Sequence, residues 1–129
     1  MSGAFSPLAL ALVALGGACG SMSRYAIGIW AAGWFGTALP WGTLAVNVIG
    51  SAVIGVLGGA MLAGMPFPQE ARLLAITGFL GGFTTFSAFA LDIGVLWERS
   101  PAVALGYLAL TMALGLGAFA LCFALGRRF

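Results

Sequence analysis

The chain has 129 residues, of which 62% are hydrophobic, 21 more are glycine and only 6% are charged; its mean hydropathy is +1.13, whereas an ordinary soluble domain carries roughly 25% charged residues. Five arginines stand against Glu70, Asp92 and Glu98, with no lysine and no histidine. That composition leaves no basic stripe for nucleic acid, no histidine for general-base or metal work, and no paired carboxylates, so the chain reads as membrane-embedded and not an enzyme.

A helix needs about 20 apolar residues to cross a hydrocarbon core of roughly 30 Å, and four blocks meet that length. The first spans about residues 5–30, with Arg24 near its end. No positive charge precedes this run and no soluble domain follows it, which argues against a cleaved secretory signal. Pro40 divides the next charge-free stretch, so a second span is expected at about 41–63. The third runs over about 72–97. The fourth, about 101–126, opens after Ser100-Pro101, where proline suits a first helical turn, and stops at Arg127-Arg128. Together they make a single four-helix transmembrane domain over 1–129, with loops too short to hold a separate aqueous activity.

Four crossings put Arg72, Arg127 and Arg128 on one side and Arg24 and Arg99 on the other. Three against two is a weak positive-inside bias. It permits insertion in both orientations and an antiparallel pair of identical subunits; the Arg127-Arg128 pair equally permits one fixed orientation. No arginine falls in the middle of an expected span. Cys19 and Cys122 both lie in apolar segments and read as buried small hydrophobes, not as a disulfide or a metal site.

Most glycines lie inside the expected helices. Gly16 and Gly20, Gly55 and Gly59, and Gly78 and Gly82 repeat at intervals of four, the spacing that lets helices approach closely in lipid. In the second span Thr43, Asn47, Ser51, Gly55 and Gly59 form a stripe that drifts about 40° per step around the helix. An unsatisfied amide inside a membrane costs several kcal/mol, so Asn47 must meet a neighbouring helix, water or a ligand.

The third span holds the segment from Gly78 to Phe89, in which Gly81-Gly82 precedes Phe83-Thr84-Thr85-Phe86. Permissive glycines and β-branched threonines that bond backward to carbonyls weaken a regular ladder. A broken third helix is expected, and carbonyls released there can coordinate a cation. Phe86 and Phe89 follow about 60° apart on the helix surface. Such a pair serves core packing or lipid contact; alternatively its positive ring edges border a small anion.

Gly81-Gly82-Phe83-Thr84-Thr85-Phe86-Ser87-Ala88-Phe89, together with Gly42-Thr43-Leu44-Ala45-Val46-Asn47 and Arg24-Tyr25, resembles the Fluc (CrcB) family of fluoride channels. The likeness covers nearly the whole chain in length, helix number and motif order, and is loosest in the fourth span, through Tyr107 and Thr111. It implies an all-α integral membrane protein of the cell inner membrane, a multi-pass subunit of an antiparallel, dual-topology homodimer. It also implies two pathways for passive fluoride export on either side of a central structural sodium ion.

By position, the resemblance makes Phe86 and Phe89 the pore-lining rings and Asn47 an amide donor near the pore mouth. Thr43, Ser87 and Thr111 become hydroxyls of a polar track, Tyr107 a donor from the fourth helix, and Arg24 a positive charge in a vestibule. Carbonyls of Gly81 and Thr84 from both subunits are implied as the sodium ligands. Thr111 stands where serine is common in the family, and Ala88 where threonine is frequent. Fluoride is small and strongly hydrated, so a narrow path must replace its water with donors while avoiding a fixed positive charge that would trap it.

Two alternatives belong to other classes. A small multidrug exporter, also built of four short helices, needs an intramembrane acid for proton exchange, and Asp92 is the sole candidate. A non-transporting membrane subunit would need none of these side chains for flux.

Overall fold

A computed structural model describes residues 5–129; the first four residues of the expected 1–129 unit lie outside it. Helix α1 (Pro7–Phe35) starts with proline in its first turn, and the Ser6 side chain accepts the Ala9 N–H. Its end is fixed by Gly36, whose φ of 79° lies where a side chain is strained. After a turn at 37–40, α2 (Trp41–Leu62) crosses back. The third crossing, Gln69–Arg99, is composite. It comprises α3 (Gln69–Ala71), a π-helix over Arg72–Leu80, one turn α4 (Gly81–Phe83), and α5 (Phe86–Arg99). Helix α6 (Pro101–Gly126) repeats the entry device of α1, with proline in its first turn and the Ser100 hydroxyl accepting the Val103 N–H. All four crossings are long and apolar enough to span a membrane.

In lipid no hydrophobic force drives helices together, so close backbone approach must hold them. The glycine pairs mark those approaches. Helix α1 packs on the π-segment and α4, and a Cβ at Gly16 would strike the Leu74 carbonyl, one at Gly20 the Phe79 carbonyl, and one at Gly82 the Gly17 carbonyl. Helix α2 packs on α6, where a Cβ at Gly55 would meet the Phe119 carbonyl, one at Gly59 the Phe123 carbonyl and one at Gly126 the Val56 carbonyl. At the α1–α2 crossing a Cβ on Gly42 would lie 2.7 Å from the Gly28 Cα. Two helix pairs built on backbone contact thus make up the subunit.

Between them, Leu44, Phe89, Leu96, Ala104 and Tyr107 form the buried cluster, joining α2, α5 and α6. Much apolar surface faces outward, including Trp34 at 83% and Phe86 at 77% exposure, as lipid or a second subunit requires.

Three expectations need correction. Helix α1 continues past residue 30 to Phe35, because only Gly36 breaks its ladder. Arg24 is consequently inside the bundle, and its guanidinium reaches the Gly82 carbonyl near the middle of the third crossing. An arginine therefore does lie within a span, and the weak charge bias becomes Arg72, Arg127 and Arg128 against Arg99 alone. The third difference is Cys19, which is exposed on α1 where burial was expected; Cys122 is half-buried.

Gly20→Val is expected to lower unfolding stability in detergent by about 1–3 kcal/mol, the usual cost of overpacking. Gly33→Ala, at a position where a Cβ meets nothing within 4 Å, is expected to leave it unchanged or raise it by up to about 1 kcal/mol through helix propensity. Denaturant midpoints of both variants beside the wild type make the comparison.

Candidate functional site

The polar chemistry converges where α4 ends. Thr84 has φ −85° and ψ 158°, and Thr85 has φ −154° and ψ 121°, so both residues are extended before α5 begins at Phe86. Every backbone polar group released here needs a partner, since the surroundings hold no bulk water. Leu80 O accepts both the Thr84 N–H at 3.0 Å and the Thr84 hydroxyl at 2.9 Å. Gly82 O accepts Arg24 Nε at 3.0 Å. The Thr85 N–H donates to Asn47 Oδ1 at 2.8 Å, and Asn47 Nδ2 donates to the Thr85 carbonyl at 2.9 Å. Thr85 Oγ1 then caps α5 by accepting the Ala88 N–H at 3.1 Å. The carbonyls of Gly81 and Thr84 receive no hydrogen bond among the described residues.

A groove of about 470 Å³ opens beside these carbonyls, lined by Asn47, Ser51, Gly81, Thr84, Thr85, Phe86, Phe89 and Thr111 among others. Among the described residues, no charged side chain lines it. Phe89 is buried at 4% exposure and Phe86 exposed at 77%; their ring centroids are 6.0 Å apart with planes tilted by 58°. One phenylalanine is therefore fixed in the core, where it also lies 6.0 Å from the Tyr107 ring, while the other forms an outer wall of the groove. Thr111 Oγ1 is buried and makes no hydrogen bond among the described residues. Asn47 carries two amide protons, and Thr85 uses one.

Other residues singled out from the sequence lie elsewhere. Thr43 lines a second cavity of about 330 Å³ near the 36–40 turn, shared with Asp92 and Arg99. Asp92 Oδ2 is buried there without a partner among the described residues, and Arg99 Nη1 donates to Ala38 O at 2.9 Å. The Tyr107 hydroxyl is committed to the Pro40 carbonyl at 2.9 Å, so it ties α6 to the start of α2. Ser87 is exposed, with its Oγ 3.4 Å from Thr85 Oγ1. Sequence reasoning did not single out Thr85 or Ser51 for the site. A hydroxyl residue three positions before a helical N–H is a capping signal, and Ser51 belongs to the stripe of small residues on α2, so both had a visible cue.

A family model described as CrcB-like protein, Camphor Resistance (CrcB), matches residues 11–124. The chain belongs to the CrcB family. A curated relative of this CrcB chain from Rhizobium etli (strain CIAT 652), named fluoride-specific ion channel FluC, is 56% identical over 108 residues, covering 83% of this chain and 86% of the relative. Another of that name, from Erythrobacter litoralis (strain HTCC2594), is 46% identical over 123 residues, covering 91% of this chain and 90% of its own length. A third, from Agrobacterium fabrum, is 47% identical over 110 residues. With four apolar crossings, this member of the CrcB family is a multi-pass membrane protein.

Chemically, the groove offers neutral donors, aromatic edges and bare carbonyls. Donors and edges suit a small anion, and carbonyls suit a hard cation. Tyr107→Phe removes the bond to Pro40 while keeping the ring against Phe89, and is expected to cost about 1 kcal/mol of stability. The denaturant midpoint in detergent reads this, and an unchanged midpoint shows that the Pro40 carbonyl loses nothing.

Proposed function

We propose that this chain is the subunit of a fluoride-selective channel that exports fluoride passively across the inner cell membrane as an antiparallel homodimer. The observation that carries the reading is the uncharged groove, in which Asn47 and the Thr111 hydroxyl stand beside Phe86 and Phe89. It is supported by the CrcB relatives that are named fluoride-specific ion channels. Fluoride entering such a groove exchanges water for an amide proton, a hydroxyl proton and ring-edge hydrogens, none of which binds as tightly as a fixed cation. A larger halide gains less from these donors because its charge is more diffuse. Within this reading Phe86, Phe89, Asn47 and Thr111 line the path. Thr43, Ser87 and Tyr107 serve its flanks, and Arg24 supplies positive potential from beneath.

A second copy is the fitting cover for the groove. Phe86 leaves a large aromatic face exposed next to bare carbonyls of Gly81 and Thr84, a combination that hydrocarbon satisfies poorly. The antiparallel arrangement is supported by the tryptophans. All four tryptophans in the chain sit at one end of the bundle: Trp30 and Trp34 at the close of α1, Trp41 at the start of α2 and Trp97 at the close of α5. Tryptophan favours both membrane–water interfaces. One subunit furnishes a belt on one face only, and an inverted partner furnishes the other. This replaces the arginine count, which no longer argues for balance.

The break in the third crossing is read as the seat of a structural sodium ion at the dimer axis. The Gly81 and Thr84 carbonyls fit it, being hard oxygen donors without hydrogen bonds on the groove side of the subunit. The ion would supply a central positive charge that draws carbonyl dipoles of two copies together.

Purified protein in liposomes is expected to release fluoride at rates far above chloride, and Phe86→Ile to slow that release by roughly tenfold or more, equivalent to about 1.4 kcal/mol. A folded wild-type preparation that passes no fluoride sinks the reading; equal chloride flux sinks the selectivity.

A further inference from the structure

In an α-helix the carbonyl of residue i accepts the N–H of residue i+4, so the Gly81 carbonyl is due the N–H of Thr85. That N–H points to Asn47 Oδ1 instead, and the Thr85 carbonyl accepts Asn47 Nδ2, at 2.8 and 2.9 Å respectively. The orientation of the amide is unambiguous, because only Oδ1 can accept from the N–H and only Nδ2 can donate to the carbonyl. One side chain thus satisfies both polar groups of one residue, as an adjacent β-strand would. Thr85 has the extended dihedrals that such pairing needs.

The neighbouring acceptors are filled independently: Leu80 O by Thr84 and Gly82 O by Arg24. Gly81 O is left open because its own donor has been taken by another helix. We propose that Asn47 is a positioning residue for the interfacial cation, holding the Thr85 peptide on α2 so that the Gly81 carbonyl stays free to ligate. The inference rests on the reading of Gly81 and Thr84 as sodium ligands and supplies the cause of the free carbonyl at mid-membrane. It also joins the cation seat to the anion route, since the same amide lines the groove beside Phe86 and Phe89. Loss of Asn47 lets the Thr85 N–H swing back to Gly81 O, continuing the helix and closing the ligand.

Two readouts test this on the full-length protein. The chain contains Gly16-Gly17, Gly58-Gly59 and Gly81-Gly82 as its only glycine dipeptides. Labelling glycine with ¹³C at the carbonyl and ¹⁵N at the amide therefore isolates the Gly16, Gly58 and Gly81 carbonyl resonances. Spectra are taken in choline chloride without sodium. The thermal unfolding midpoint is then followed as sodium replaces choline at constant ionic strength. Asn47→Leu keeps the volume and loses both polar groups; Asn47→Asp keeps an acceptor for the Thr85 N–H.

In N47L the Gly81 resonance is expected to move downfield as it gains a hydrogen bond, with the other two unmoved. The midpoint is expected to need roughly tenfold more sodium for the same rise. In N47D the Gly81 resonance stays at its wild-type position. A Gly81 resonance unmoved in N47L overturns the positioning role and leaves the cation reading standing. A wild-type midpoint indifferent to sodium overturns the cation reading and this inference with it. Should N47L not fold, N47D decides alone: a downfield Gly81 carbonyl there, with the acceptor still present, overturns the proposal.

Discussion

The pairing of one asparagine amide with one threonine peptide holds the site together. Hydrocarbon offers no substitute for a lost backbone hydrogen bond, so most of the groups a helix releases at mid-membrane must find other partners. Asn47 takes the N–H and carbonyl of Thr85, Thr84 returns to Leu80, and Arg24 takes Gly82. These side chains come from α1, α2 and the third crossing itself. Three elements must therefore be in register before the interruption can persist, which places the site under the control of the helix packing.

That packing is set by glycine. Because the α1 contact with the third crossing and the α2 contact with α6 are both carbonyl-to-Cα approaches, their geometry is fixed by backbone dimensions and not by side-chain rotamers. Rigid contact of this kind suits a site in which bonds of 2.8–3.0 Å link different helices. Gly78 and Gly82, which help to hold the frame, and the threonines that open it occur in one run, Gly78 to Thr85, so framing and opening cannot be varied separately along this stretch.

Much of this was legible in the sequence. Apolar blocks bounded by Pro40, Ser100-Pro101 and Arg127-Arg128 located three of the four crossings to within a few residues, because proline and charge act locally. The α1 end was missed since Gly36 works through its backbone dihedral, which composition does not display. Asn47 was identifiable as a group in need of a partner, and an interhelix bond was one of its three readings; that its partner is a backbone peptide depends on the facing of α2 and the third crossing. Tyr107 and Thr43 were grouped with the groove by resemblance, whereas their hydroxyls lie toward the Pro40 end. Residue type indicates what a hydroxyl can do, and the depth of each helix decides where it does it.

The π-helix at Arg72–Leu80 gives the chain an unusual tolerance of length. Its i→i+5 ladder accommodates surplus residues while keeping its backbone groups bonded. Deleting one residue there lets the stretch tighten into an ordinary α-helix without exposing a polar group, so the fold tolerates the loss. The tighter ladder turns further per residue, about 100°, so the added twist offsets much of the missing residue's own turn and the Phe86 ring stays near the groove. In this region a gap in an alignment has a different consequence from one in an ordinary α-helix: the span survives and its facing is largely kept, so related chains that differ here by one residue still present much the same wall to the ion.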